Sequence, residues 1–297
     1  MAQLTNPLAF ALYGGIAGVK LPNDRFELGQ GIVLQRTYCH VFAPFMAAFN
    51  PASPGQPHPP PWRAISGGIG FDLHCEIYVP LDVSNVALDR LNLIWWLVAL
   101  LRLSGSPLAI IPVVANHSFS QIASLLDEPV FWPVELMHRR LHVGEGNSTK
   151  PVGEQLDWVH QHWQAGAALM NENADFGTAF QAFDACTGDR TPSVALISLW
   201  GALERLFSPA QQELTFRVSA NIAAYLEPPG ENRLALFKSI KKLYGERSKA
   251  AHGADTGGHT PFIDTYLLVR RVLTRMIERR HVPNRDELET RLFSDCE

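Results

Sequence analysis

The chain has 297 residues, of which 46% are hydrophobic and 18% are charged, and its formal net charge is −4. This composition predicts a folded protein of about two domains and excludes an intrinsically disordered chain. The small negative charge argues against a protein that is basic all over, as a nucleic-acid coat would be, but it leaves room for a local basic patch.

No stretch of the sequence is typical of secretion or of a membrane span. The N-terminus lacks the basic start and sustained apolar run of a signal peptide. The most apolar run, Leu91–Leu103, has 13 residues and includes Asn92 and Arg102, whereas a span needs about 20 apolar residues. The four cysteines are scattered, which favours reduced thiols. We therefore expect a cytoplasmic protein without a membrane partner.

The N-terminal half predicts a β-rich or α+β domain over residues 1–145. Its short apolar runs alternate with turn residues. The predicted strands are Ile32–Val41, Phe71–Val79, Pro107–Val114 and Val130–Leu136, and the one predicted helix is Asp89–Leu103. The proline-rich segment Asn50–Pro61 cannot be helix or central strand, because proline lacks an N–H and fixes φ, so it is expected to be a surface loop.

The C-terminal half, residues 154–293, predicts an all-α domain. Residues 142–153 are polar and contain glycine, which predicts a linker. The helices are expected at about 154–170, 174–186, 192–207, 212–226, 231–252, 260–280 and 285–293. Thr191 and Pro192 form a helix start, and Gly253 stands where a helix C-terminus favours glycine. The predicted fold class is therefore α+β, with an N-terminal β-rich domain followed by a helical bundle.

The segment from Leu234 to Gly253 carries the residues suited to chemistry. At 100° per residue, an apolar stripe has Arg247 on one flank and His252 on the other, about 140° apart. The stripe residues are Leu234, Phe237, Ile240, Tyr244 and Ala251. If the stripe packs against a symmetry mate, both flanks border one groove. The spacing therefore makes sense in a homodimer, or with a bend near Gly253.

Arginine and histidine together suit RNA cleavage without a metal or cofactor. A histidine that titrates near neutrality can move the proton of a ribose 2′-OH that attacks the adjacent phosphorus. A guanidinium can bind the phosphate through two hydrogen bonds and stabilise the charge of the transition state. Residues 231–280 hold 11 Lys plus Arg against 5 Asp plus Glu. Lys241, Lys242 and Lys249 are expected to contribute to an RNA-binding surface.

The same segment resembles the Arg-x4-His motif of HEPN domains, here Arg247-Ser-Lys-Ala-Ala-His252, and more closely the Apea-like HEPN group. Three blocks in order carry the resemblance: Ala195–Phe207, Glu213–Leu226 and Lys241–Gly253. The resemblance covers about 140 C-terminal residues. It implies a helical bundle, homodimerisation, endoribonuclease activity and a role in bacterial antiviral defence or toxin-like growth arrest.

The resemblance also assigns roles to individual residues. Arg247 and His252 match the catalytic pair, and Ser248 stands where many HEPN proteins have a polar residue that assists. Glu204 matches a recurring carboxylate that orients His252 or Arg247, or else pairs with Arg217, which we place with the RNA-binding residues. Ala254 stands where adenylylated HEPN toxins have tyrosine, which argues against that form of control.

Several other interpretations stay open on the sequence. Cys39-His40 and His74-Cys75 offer zinc-type ligands, but adjacent strand residues face opposite sides, so at most one of each pair can share a site. By spacing alone, Arg247 and His252 also fit a solvated basic helix with a histidine near its C-terminus. The alternative function is a non-catalytic HEPN-type module that dimerises and binds RNA, a nucleotide or a protein. A toxin held by a protein antitoxin, or an effector with a protein trigger, is a further possibility.

Overall fold

The structure, a computed structural model, describes residues 6–83, 87–126, 128–137, 141, 143, 150–189, 191–207, 213–251 and 259–293. The chain divides into two compact units. The first comprises Met1–Leu101, Leu108–His138 and Pro151–His160, and the second comprises Arg102–Pro107, Arg139–Lys150 and Gln161–Glu297. An antiparallel sheet in the N-terminal half and helices in the C-terminal half confirm the predicted α+β class.

Six strands form one antiparallel sheet in the described residues of the first unit. They are β1 (Leu12–Ala17), β2 (Arg25–Gly29), β3 (Ile32–Ala48), β4 (Trp62–Val79), β5 (Ile110–Ala115) and β6 (Phe131–Pro133). Their order in the sheet is β2-β3-β4-β1-β5-β6. The predicted helix is present as α1 (Arg90–Ser104), and most of its apolar residues are buried as expected.

Strand β1 was not predicted, because its glycines interrupt the apolar pattern. Gly14 and Gly15 lie inside the strand, where glycine is unfavourable unless something must come close. A Cβ on Gly14 would lie 2.6 Å from Cγ2 of Ile94 in α1. The missing side chain therefore lets α1 approach the sheet, which accounts for a glycine inside this strand.

Strands β3 and β4 are longer than predicted and form an extended hairpin. Pairing continues from Val33↔Tyr78 outwards to Ala48↔Trp62, with an irregularity between Pro44 and Phe45. Proline and glycine in these outer strands made the sequence pattern resemble loop. The connecting residues 49–61 form an exposed loop, which confirms the prediction for Asn50–Pro61. Large apolar side chains on the outer hairpin are exposed, among them Tyr38, Phe42, Phe45, Met46, Phe49 and Trp62.

The C-terminal half contains seven helices in its described residues, and they lie close to the predicted positions. They are α2 (Val152–Glu172), α3 (Ala174–Cys186), α4 (Pro192–Phe207), α5 (Leu214–Leu226), α6 (Glu231–Ala251), α7 (Thr260–Arg279) and α8 (Arg285–Phe293). The end of the predicted linker is wrong, because Val152 and Gly153 already belong to α2. Residues 142 and 144–149 of that linker lie outside the described residues.

Helix α4 lies at the centre of the helical unit. It contacts α3, α5, α6 and α7, and it is apolar around most of its circumference. Its fully buried side chains include Leu199, Trp200, Leu203 and Phe207. The helix therefore fixes the position of any polar residue that it carries. In the part of the chain that the structure describes, no helix has the length and hydropathy to cross a membrane.

A buried carboxylate in the sheet gives a stability prediction. Glu76 is fully buried and accepts hydrogen bonds from Ser118 Oγ (2.5 Å), from Phe119 N (2.7 Å) and from Gln35 Nε2. Glu76→Ala leaves these buried donors without an acceptor, so we expect it to lower the free energy of unfolding by about 2–3 kcal/mol. Urea denaturation measures this. The control is Glu27→Ala, which removes an exposed partner of Arg25; an equal loss in both variants would contradict the prediction.

Candidate functional site

Arg247 lies on the inner side of α6. Ile240, Tyr244 and Ala250 are buried, and all three fall within about 60° of Arg247 around the helix. The arginine side chain retains 27% of its exposure. The prediction that Arg247 lies on a flank of the apolar stripe is therefore wrong, because the buried face of α6 is centred close to Arg247 itself.

Glu204 of α4 brings two residues of α6 together. Its Oε1 accepts a hydrogen bond of 2.8 Å from the Tyr244 hydroxyl. Nη2 of Arg247 lies 3.2 Å from Oε1 and 3.5 Å from Oε2 of the same carboxylate. The Arg247 guanidinium also lies over the Tyr244 ring, 5.5 Å from its centroid. We refer to Glu204, Tyr244 and Arg247 as the Arg247 cluster.

Tyr244 is held as a neutral hydrogen-bond donor. Its ring packs edge-on against buried Trp200 of α4, with 5.0 Å between centroids. Burial, and then the hydrogen bond to the Glu204 carboxylate, raise the pKa of Tyr244 to about 12. The hydroxyl therefore keeps its proton at physiological pH and continues to donate to Glu204. This fixes one carboxylate oxygen beside the guanidinium of Arg247.

The Arg247 guanidinium is oriented but not saturated. A guanidinium has five N–H donors in a planar fork. Among the described residues, only Nη2 of Arg247 has an acceptor, and Nε is buried without one. The stacked, partly exposed guanidinium therefore keeps donors for an additional anion. A phosphate oxygen is the type of acceptor that such a fork binds best.

His252, the second predicted catalytic residue, lies outside the described residues, as does Gly253. Helix α6 is described up to Ala251, which is exposed, and the preceding Ala250 is buried. The histidine therefore follows directly after the last described helical residue. Its pairing with Arg247 stays a prediction.

The three lysines predicted to bind RNA do not share a face with Arg247. Lys241, Lys242 and Lys249 are exposed, and around α6 they lie about 120–160° from Arg247. Lys249 Nζ forms an ion pair of 2.8 Å with Glu246. The lysines form a basic surface on the outer side of α6.

The structure also describes Ser248 and Arg217, the other two residues predicted to bind RNA. Ser248 Oγ donates to the Tyr244 carbonyl oxygen over 3.4 Å, within the same helix. Arg217 of α5 is partly buried, and its Nε has no acceptor among the described residues. The alternative pairing of Glu204 with Arg217 is not what the structure contains, since the described ion pair of Glu204 is with Arg247.

The apolar stripe of α6 is not free along its length for a symmetry mate. Ile240 and Tyr244 are buried within the chain itself, against the neighbouring helices. Leu234, by contrast, is 53% exposed, and Phe237 packs edge-on against Phe216, which is 55% exposed. The middle of the predicted stripe is therefore part of the hydrophobic core. At its N-terminal end, Leu234 of α6 and Phe216 of α5 expose apolar side chains to solvent.

The residues considered for zinc are divided between the two faces of the hairpin. His40 Nδ1 lies 2.8 Å from Asp72 Oδ1, and this hydrogen bond lowers the pKa of Asp72. Cys39 faces the apolar cluster around Phe71 and Leu73, and Cys75 is buried. Within the described ranges, no group of three or more His, Cys, Asp or Glu residues has a metal-binding arrangement.

Tyr244 is the member of the cluster that the sequence pattern places only in the apolar stripe. It stands three residues before Arg247, the spacing at which two side chains meet on a helix surface. That spacing is the signal that identifies it as a neighbour of the arginine. Its hydrogen bond with Glu204 depends on the packing of α4 against α6, which no spacing within α6 indicates.

Comparison of the chain with protein-family models, with curated proteins and with solved structures gave no match. The resemblance of the three helical blocks to Apea-like HEPN proteins therefore stays a prediction. The features of the chain that bear on function are the chemistry of the Arg247 cluster and the position of His252 in the sequence.

Proposed function

We propose that the helical half is a metal-independent endoribonuclease of HEPN type that acts in the cytoplasm as an effector of bacterial defence or as a toxin. The observation that carries this proposal is the Arg247 guanidinium, which Glu204 and Tyr244 orient while most of its donors have no acceptor among the described residues. Orientation before substrate binding is what an electrostatic catalyst needs, because it avoids reorganisation during the reaction.

In the proposed reaction, the ribose 2′-oxygen attacks the adjacent phosphorus, and the bond from phosphorus to the 5′-oxygen breaks. His252 takes the 2′-OH proton, and the departing 5′-oxygen takes a proton from water, so that one proton is removed and one is supplied in each turnover. Arg247 donates to the non-bridging phosphate oxygens, whose charge grows in the transition state. Glu204 positions the guanidinium without touching the RNA. Arginine and histidine supply both proton transfer and charge stabilisation, so the scheme calls for no metal.

The RNA in this proposal crosses the surface next to α6. Ser248, Lys241, Lys242 and Lys249 provide polar and positive groups on that helix, and Arg217 adds one from α5. A second copy of the chain completes the site in the proposal. The exposed apolar side chains of Leu234 and Phe216 support self-association, because apolar surface at an interface is removed from water.

The chemistry of the products tests the proposed reaction. We expect the purified protein to cleave single-stranded RNA equally well with and without EDTA, and to leave 2′,3′-cyclic phosphate ends, because the 2′-oxygen is the nucleophile. Mass spectrometry of the fragments measures the ends. The control substrate is the same RNA with 2′-O-methyl groups, which has no attacking hydroxyl. Fragments with 3′-hydroxyl ends, or loss of activity in EDTA that metal restores, would contradict the mechanism.

The ion pair between Glu204 and Arg247 also favours a second candidate, a non-catalytic module that dimerises and binds RNA, a nucleotide or a protein. The two side chains are 20% and 27% exposed and join α4 to α6, so the pair has a structural use as well. The two candidates differ in one result. A non-catalytic module binds RNA without cleaving it, whereas the proposed enzyme cleaves it and loses cleavage with Arg247.

A further inference from the structure

Four arginines of α7 line one cleft in the helical unit, which we call the α7 arginine cleft. Its volume is about 560 Å³, within the range of small-ligand sites. The lining residues are Leu267, Arg270, Arg271, Thr274, Arg275, Glu278 and Arg279. The arginines thus outnumber the acidic lining residues by four to one, in a protein whose net charge is negative.

The positive charges of the cleft are only partly compensated. Arg271 forms an ion pair with Glu227. Arg275 and Arg279 have no carboxylate within ion-pair distance among the described residues. Burial, and then the neighbouring charges of Arg279 and Arg271, lower the pKa of Arg275, which agrees with like charges held close together.

Helix capping accounts for three of the arginines but not for the fourth. Arg275 and Arg271 donate to the Leu226 carbonyl oxygen at the C-terminus of α5. Arg270 donates to two carbonyl oxygens at the end of α1, over 2.7 and 2.8 Å. Such contacts are ordinary for basic residues at helix ends. Arg279 has no hydrogen-bond acceptor among the described residues, so its place in the cleft needs another explanation.

Tyr225 of α5 gathers three guanidinium groups around one aromatic ring. Arg275, Arg279 and Arg291 lie 6.0, 5.7 and 5.8 Å from the ring centroid. The tyrosine is 98% buried, since only 2% of its surface is exposed, and its hydroxyl has no partner among the described residues. Burial raises the pKa of Tyr225 to about 12, so the ring offers a π-face but no negative charge to this group of cations.

We propose that the α7 arginine cleft binds a ligand that carries two or more phosphate groups. Arg271, Arg275 and Arg279 are four residues apart, so they follow one side of α7 at intervals of about 6 Å. A guanidinium stacked on an aromatic ring keeps its N–H edge available for the paired hydrogen bonds that phosphate accepts. A polyanion also relieves the repulsion between the neighbouring cations. The site is separate in its residues from the Arg247 cluster and does not depend on the proposed nuclease.

Phosphate groups arranged in this way occur in a small polyphosphorylated molecule and in an RNA backbone, and two probes distinguish these sources. The first probe is inorganic tripolyphosphate, followed by calorimetry. The second is a labelled 12-nucleotide single-stranded RNA with 2′-O-methyl groups, followed by fluorescence anisotropy. The methyl groups prevent attack by a 2′-hydroxyl, so binding is measured whether or not the chain cleaves RNA.

Arg279→Ala is the most informative variant, because the structure gives this side chain no hydrogen bond to any described residue. We expect it to weaken binding at least tenfold, the usual size of one charged hydrogen-bonded contact, with an unchanged circular dichroism spectrum and unchanged melting temperature. Arg275→Ala combined with Arg279→Ala is expected to weaken binding about a hundredfold. The matched control, Arg25→Ala with Arg285→Ala, removes the same total charge from exposed pairs and is expected to bind as wild type.

Each result of this experiment either distinguishes a small polyphosphorylated ligand from an RNA backbone or contradicts the proposed binding site. Tripolyphosphate binding that Arg279→Ala weakens identifies a small polyphosphorylated ligand. Binding of the RNA alone, again weakened by Arg279→Ala, identifies the RNA backbone. Failure of both probes to bind wild type at low ionic strength overturns the proposal, and so does binding that Arg279→Ala weakens no more than the control variant does.

Discussion

Arg247→Ala is expected to lower the rate of RNA cleavage about a thousandfold, the size of effect seen when a group that stabilises transition-state charge is removed. The proposed enzyme uses the Arg247 guanidinium in the transition state, where N–H groups that have no acceptor in the described part of the chain donate to the phosphate oxygens. Arg247→Lys keeps the charge but loses the planar fork, so we expect an intermediate loss of about ten- to a hundredfold. Initial rates on a labelled single-stranded RNA measure both variants.

Two controls separate chemistry from folding in this comparison. Lys238→Ala removes an exposed positive charge from the opposite side of the same helix and is expected to stay within about threefold of wild type. The melting temperature of Arg247→Ala shows whether the Glu204 carboxylate, now without its arginine, destabilises the helical unit. A folded Arg247→Ala protein that cleaves RNA at the wild-type rate would remove Arg247 from the proposed site.

Asp184→Ala is expected to lower the free energy of unfolding by about 3–5 kcal/mol, because it leaves a buried guanidinium without its carboxylate. Arg102 Nε and Nη2 donate to the two Asp184 oxygens over 2.6 and 3.0 Å. The two side chains are only 2% and 8% exposed. The free energy of unfolding of a whole domain is only about 5–15 kcal/mol, so this single substitution removes a large part of it. Urea denaturation of wild type and of Asp184→Ala measures the loss in the free energy of unfolding.

The control comes from the same helix. Asp175 of α3 forms an ion pair with Arg205 in which both side chains are about half exposed, so Asp175→Ala is expected to cost at most about 1 kcal/mol. Replacing both buried partners, Arg102→Met with Asp184→Leu, is expected to recover much of the loss, because no charge is then left buried. Equal destabilisation by Asp184→Ala and Asp175→Ala would contradict this account of the buried pair.

The helical half could be predicted closely from the sequence because its signals are local. Thr191 and Pro192 mark the start of α4, and Pro283 with Asn284 separates the last two helices. The sheet was harder to predict. Strand β1 contains Gly14 and Gly15, which the close approach of Ile94 to the first and of Leu73 to the second explains. The outer hairpin contains Pro44, which is typical of a loop in a single sequence.

The candidate site shows the same division between local and tertiary information. The spacing of Arg247 and the lysines on one helix could be read from the sequence. The sequence left open whether Glu204 meets His252, Arg247 or Arg217, because that choice depends on how α4 packs against α6. The hydrogen bond from Tyr244 to Glu204 was missed for the same reason. The arginines of α7 were counted as part of a basic excess, but their convergence on Tyr225 is visible only in the folded chain.

The measurement that tests the central claim most directly is induced expression of wild type and His252→Ala in a bacterial host, with growth and total RNA followed together. The proposed mechanism predicts that wild type arrests growth and fragments RNA, whereas His252→Ala, produced at the same level, does neither. RNA fragmentation of equal extent by both proteins would contradict the assignment of His252 and, with it, the proposed nuclease site.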